Sequence, residues 1–130
     1  MKISGVAHIG IECKDLEESL NFYCGILGFE QITDNARDKG DKASYFLKHG
    51  GVVVELLLRP ESETAGRWGV INHLSMSVDD VKAAREELKA KGIEFETMDI
   101  LYDPYLYERG EYYVSFRGPN GERLQLEQIL

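Results

Sequence analysis

The strongest constraint on this 130-residue chain is that it contains itself twice. Set VAHIGIECKDLEESLNFYCGILGFE, from Val6, beside INHLSMSVDDVKAAREELKAKGIEFE, from Ile71. His8 then falls on His73, Asp15 on Asp80 and Leu16 on Val81, all at an offset of 65, while Gly28 meets Gly92 at an offset of 64. Duplication fixes architecture before any single element does, because each copy must build the same supersecondary unit.

Both copies follow one physical logic. The stretch around each histidine alternates as a half-buried strand does. Asp15 and Asp80 stand where a helix would begin and can cap its free N–H groups. Leu16, Leu20, Tyr23 and Leu27 recur at helical spacing in the first copy, as do Val81, Ala84 and Leu88 in the second. Gly28 and Gly92 then stop those helices, where a left-handed residue is required. New short strands are expected over Phe29–Ile32 and Ile93–Glu96.

Further along, HGGVVVELLL faces GPNGERLQLEQI, with Gly51 on Gly121 at an offset of 70 and Glu55 therefore on Gln125. Strands are also expected near Ala43–Lys48 and Tyr112–Arg117. Asn35–Asp41 and Pro60–Gly69 read as loops, the second as the linker between halves, and Tyr102–Gly110 as an aperiodic excursion. The order β-α-β-β-β, twice, predicts an α+β fold. Paired βαβββ modules (residues 1–62 and 70–130) would form a single domain, a curled mixed sheet around a groove, neither half having enough core to stand alone comfortably.

Composition narrows function. With 23 acidic against 15 basic residues the net charge is −8, so the surface repels phosphate backbones and anionic membranes. No apolar run approaches the ~18 residues of a membrane span, and MKISGVAHIG lacks the apolar core of a signal peptide. The expectation is a cytoplasmic protein with a small-molecule partner, binding neither nucleic acid nor membrane. Cys13 and Cys24 form no CxxC pair and are expected to stay reduced. GxSxG, P-loop and HExxH motifs are absent.

The chemistry-bearing residues are those the repeat superposes. In a pseudo-two-fold fold, equivalent positions approach one axis, so His8, His73, Glu55 and Gln125 are expected to meet as a divalent-metal site. Two imidazoles with oxygen ligands suit Zn, Ni, Fe, Mn or Co. Glu55 interrupts VVVELLL, and a carboxylate in so apolar a strand needs a neutralising partner; a metal serves, as would an arginine such as Arg59 or Arg117. The glycine register selects Gln125 as the fourth ligand, with Glu127, two residues on and on the same face, as the alternative. Trp68, Tyr102, Tyr105, Tyr107, Tyr112 and Tyr113 supply aromatic surface, for a ligand or for packing. His49 reads as a surface residue at a turn. Arg37, Arg59 and Arg117 read as solvated or ion-paired.

These segments, HIGIECKDLEESLNFYCGILGFE, VVVELLL, NHLSMSVDD and GPNGERLQLEQ, resemble the vicinal oxygen chelate superfamily of glyoxalase I, methylmalonyl-CoA epimerase, extradiol dioxygenases and bleomycin- or fosfomycin-resistance proteins. The resemblance covers essentially the whole chain. It implies paired modules around a divalent metal, often in a homodimer, with His8, Glu55, His73 and Gln125 at the ligand positions. It also implies a glyoxalase I-like lyase or isomerase, similar to lactoylglutathione lyase, working through a metal-stabilised enediolate. The chain departs from the family pattern at Gly118 and at Gln125. A carboxylate at the last ligand position commonly moves the proton, and an amide cannot. Glu55 or Glu127 would then be the catalytic base. An epimerase, a dioxygenase and a non-catalytic antibiotic- or aromatic-binding resistance protein are the alternatives.

Overall fold

The computed structural model describes residues 2, 6, 8–34, 43–61, 71, 73–105 and 107–130. It divides into two compact units, Met1–Gly66 and Arg67–Leu130, each a four-stranded mixed sheet with helix on one side. The loop expected at 35–41, Arg37 and most of the 60–69 linker with Trp68 lie outside the described residues.

In the first unit β1 (Ile9–Cys13) leads to a short helix α1 (Leu16–Leu20), which continues as a π-helical stretch over Asn21–Ile26. Strands β2 (Glu30–Asp34), β3 (Ser44–His49) and β4 (Val52–Leu58) follow, in the sheet order β1-β4-β3-β2. β1 runs parallel to β4, and the other pairs are antiparallel. The second unit repeats this with β5 (Leu74–Ser77), α2 (Val81–Ala90), β6 (Leu101–Asp103), β7 (Glu111–Arg117) and β8 (Arg123–Ile129), in the order β5-β8-β7-β6.

The helix signals act as their chemistry dictates. Asp15 Oδ1 accepts from Glu18 N at 3.0 Å, and Asp80 Oδ1 from Ala83 N at 2.9 Å. Gly28 and Gly92 end the two helical segments at φ 81° and 89°, a region that costs a side-chain-bearing residue strain. Thirteen positions separate Asp15 from Gly28 and twelve separate Asp80 from Gly92. The extra residue is absorbed where Leu27 N bonds Phe22 O at 3.0 Å, a wide turn of the π type. The slip in repeat offset is thus a π insertion in the first helix.

Alternation divides each sheet into an apolar face and a site face. Val54, Leu56 and Leu47 are fully buried on the helix side of the first sheet, beside Tyr23, Phe22 and Phe29. Val114, Phe116, Leu124 and Leu126 do the same in the second, where α2 brings Val81 and Leu88 against β7 and β8. At ~25 cal/mol per Å² these faces supply most of each unit's stabilisation.

One expected element is displaced. Ile93–Glu96 makes only a single bridge, Phe95 to Phe116, because Thr97 Oγ1 turns back to Asp99 O at 2.8 Å and breaks the run. The strand that does form is Leu101–Asp103, pairing with Glu111–Tyr113, at the start of what the sequence presents as an aperiodic excursion.

Candidate functional site

Parallel pairing of the histidine strand with the closing strand builds the same half-site in each unit. In the first, Gly10 of β1 lies opposite Glu55 of β4, and His8 stands two residues before Gly10, on the same face. In the second, Ser75 of β5 lies opposite Gln125 of β8, and His73 stands two residues before Ser75. The offsets of 65 and 70 are therefore reproduced by the backbone register itself.

The first half-site is closed at side-chain level. His8 Nε2 lies 3.2 Å from Glu55 Oε2, with the side chains 42% and 18% exposed. The His8 ring meets Phe46 edge-on at 5.2 Å between centroids, and Phe46 lies opposite Glu55 on β3. Gly10 leaves the space: a Cβ there would meet Leu57 Cδ1 at 3.3 Å and Glu55 Oε2 at 4.0 Å. Glu55 thus has an imidazole partner, not an arginine. Arg59 donates to Leu58 O, and Arg117 pairs with Glu96.

The donor spacing suits an ion. Two ligands each about 2.1 Å from one metal and about 90–109° apart are separated by about 2.9–3.4 Å. Among the described residues no group of three or more His, Cys, Asp or Glu side chains stands ready to hold a metal, so the first unit by itself offers two donors. Gln125 is 7% exposed and His73 is exposed.

The site face of the second sheet carries a feature that the sequence reading missed. Glu111 opens β7 and is 2% exposed. Its site-face neighbours are Asp103, directly opposite on β6, and Glu127, which lies opposite Tyr113 on β8. Burial, then a hydrogen bond with Glu127, then the charges of Glu127 and Asp103 raise the Glu111 pKa to about 7. Burial also raises Glu127, but hydrogen bonds led by Glu111, with Tyr107 and Ser77, outweigh it and hold Glu127 below the ordinary carboxylate value. The two carboxyl groups share one proton near neutrality. Tyr107 O–H donates to Glu127 Oε1 at 3.0 Å and Ser77 O–H to the same oxygen at 3.3 Å. The parity of Glu111 with Tyr113 and Ser115 was the one available signal.

At the other end of this face, Glu96 is gripped by Arg123, at 3.1, 3.0 and 2.8 Å, and by Arg117 at 3.0 Å. Arg123 first, then burial in opposition and the charge of both guanidiniums, leave the Glu96 carboxyl below its ordinary pKa. The aromatic residues are spread: Tyr102 and Tyr112 pair at 5.4 Å, while Tyr105 is 92% exposed. His49 is exposed at the end of β3, edge-on to Phe29. No helix is long and apolar enough to cross a membrane among the described residues.

Two duplicated four-stranded mixed sheets, each with helix on one side and a polar face on the other, define an α+β fold built from duplicated modules. Residues 5–126 match the Glyoxalase/Bleomycin resistance protein/Dioxygenase superfamily, and the chain belongs to it. Uncharacterized protein YaeR of Escherichia coli is 36% identical over 129 residues, 93% of each chain. A Synechocystis protein named "Probable lactoylglutathione lyase" is 24% identical over 93% of this chain and 92% of its own. Among solved structures, a glyoxalase family protein from Enterococcus faecalis superposes with a TM-score of 0.83 at 24% identity, covering 98% of this chain and 100% of that one. The fosfomycin resistance protein FosX of Listeria monocytogenes, complexed with Mn(II), superposes with a TM-score of 0.72 at 20% identity, covering 99% and 94%.

Proposed function

We propose that the chain is a divalent-metal-dependent lyase or isomerase of the glyoxalase type, with His8, Glu55, His73 and Gln125 as its ligand set. The observation that carries this reading is the His8–Glu55 pair at 3.2 Å, built on a strand register repeated by Ser75 and Gln125. Family membership and the lactoylglutathione lyase relatives support the reaction class. The substrate class is an α-hydroxycarbonyl compound, such as the hemithioacetal of methylglyoxal with a small thiol.

A bound Zn, Ni, Co, Mn or Fe ion would supply Lewis-acid polarisation of the substrate's neighbouring oxygens. The chain's own residues do the proton work. Gln125 donates an amide oxygen and carries no proton in its working range. The base is therefore a carboxylate: Glu55, beside His8, takes the proton from the carbon next to the carbonyl. Glu55 then returns that proton to the adjacent carbon. Phe46 and Leu57 flank Glu55 and limit water around it.

The test is turnover of methylglyoxal hemithioacetals, across several thiols, by protein loaded with each of these metals. Glu55→Gln should reduce turnover by about 10²-fold or more, and His8→Ala should lower the metal content found by elemental analysis. Absence of turnover with every metal and thiol would overturn the lyase reading. The amide at position 125 also favours a second reading, a ligand-sequestering protein, which would take up metal and ligand without turnover. A homodimer, expected from the family, is checked by light scattering.

A further inference from the structure

The site face of the second sheet holds more carboxylate than the proposed reaction uses. Glu111 is 2% exposed, and its Oε2 is enclosed without a hydrogen-bond partner. A buried acceptor left unmatched is destabilising, so such an atom in a native fold calls for an explanation. Glu127, beside it, gathers donors instead: Tyr107 O–H at 3.0 Å and Ser77 O–H at 3.3 Å, both on Oε1. Glu111 Oε2 is the acceptor of the pair that awaits a donor.

Tyr107 is the second piece. It is a non-glycine residue with positive φ, at 58°, a conformation that strains a bulky side chain and clusters at functional sites. That backbone delivers its hydroxyl to Glu127 while leaving the residue 52% exposed. An O–H donor held over a carboxylate pair by a strained, exposed residue is an internal stand-in for a stronger donor.

We propose that the Glu111–Glu127 pair, covered by Tyr107, is a recognition site for a protonated primary amine on a small-molecule ligand. An ammonium group brings three N–H donors and one positive charge. It satisfies Glu111 Oε2 and Glu127 together and takes the place of the Tyr107 hydroxyl. Asp103, opposite Glu111 on β6, adds favourable charge. A metal ion fits less well, because no group of three or more carboxylate, imidazole or thiol side chains is gathered among the described residues. The inference stands apart from the lyase reading and holds for a binding protein equally.

The experiment uses the full chain and two probes of equal shape, n-butylamine and n-butanol, at one pH and ionic strength, followed by amide NMR. The expected result is saturable perturbation of the Tyr107, Glu111 and Glu127 resonances by the amine alone. Glu111→Gln should weaken amine binding by about tenfold or more, because a charge-assisted bond becomes a neutral one. Tyr107→Phe should tighten it, because the competing donor is gone, an effect that a merely structural tyrosine would not produce. Equal response to amine and alcohol would overturn the proposal, as would binding unchanged in Glu111→Gln or weakened in Tyr107→Phe. Saturation of the same resonances by Mg²⁺, with no response to the amine, would make the pair a metal site and would also overturn it. Should Glu111→Gln fail to fold, Tyr107→Phe decides alone.

Discussion

Glu111→Gln should make the protein more stable at alkaline pH and change the sign of its advantage as pH falls. In the unfolded chain the carboxyl ionises near 4.5, whereas in the folded chain it holds its proton to about 7. The folded state therefore binds more protons than the unfolded state across that window, and unfolding free energy falls as pH rises through it. The contribution of Glu111 is fully present below about pH 4.5 and is lost by about pH 7 to 8. Moving the ionisation from 4.5 to about 7 corresponds to at most about 3 kcal/mol, at ~1.4 kcal/mol per tenfold. Glu127, held low by the same hydrogen bond, titrates below this window and does not offset the loss within it, which corresponds to on the order of 10 °C in Tm for a chain of this length. The groups facing Glu111 are Glu127 and Asp103, with Tyr107 beyond Glu127; glutamine keeps a donor for Glu127 and removes the second charge. Thermal melts of both proteins from pH 5 to 8.5 isolate the effect, because Glu127, the group bonded to Glu111, titrates below that range. The variant should gain on the parent steadily as pH rises. Parallel curves would refute the shared-proton account.

Three further perturbations probe the fold. Asp80→Ala removes the acceptor for Ala83 N at 2.9 Å and should cost about 1 kcal/mol, read as a lower Tm with unchanged helix content after refolding. Leu56→Ala, at a fully buried position of β4, should cost about 2–5 kcal/mol by denaturant melt and loosen the strand that carries Glu55. Arg123→Met removes the main partner of Glu96, whose lowered pKa gives stability that is present above about pH 4.5 and lost as pH falls through the folded value. That variant should be less stable at pH 7 by about 1 kcal/mol and should lose less on acidification, both visible in urea titrations at two pH values.

The half-sites were legible because they depend on register, and register is written in repeated residues. Gly51 and Gly121 fix where the closing strands begin, and that alone sets Glu55 opposite Gly10 and Gln125 opposite Ser75. The helices were legible from Asp15, Asp80, Gly28 and Gly92, whose roles are local. The strand after α2 was not. Ile93 and Phe95 alternate as a strand should, yet the Thr97–Asp99 turn sends the chain to the far end of β7, and side-chain turns of this kind compete with pairing invisibly. Glu111 was missed for a related reason. Its partners Asp103 and Glu127 are separated from it by 8 and 16 positions, and only the observed pairing of β6 and β8 with β7 brings the three onto one face.

That face also gives a physical account of the departure at position 125. Gln125 is 7% exposed, and Glu127 follows two positions later on the same side of β8. Glu127 already shares a proton with Glu111, because a buried carboxylate and a half-buried one bonded to it cannot both ionise cheaply. A third carboxylate at 125 would raise every ionisation in the row and leave the closing strand with uncompensated charge whenever no cation is near. The amide keeps an oxygen donor in the same place at no charge. In the first unit Val53 and Leu57 flank Glu55 along β4, and His8 supplies its partner at 3.2 Å. The duplicated scaffold therefore keeps one charged half-site and one neutral one. The charge that the second half-site gave up at 125 reappears two residues away, as the Glu111–Glu127 pair.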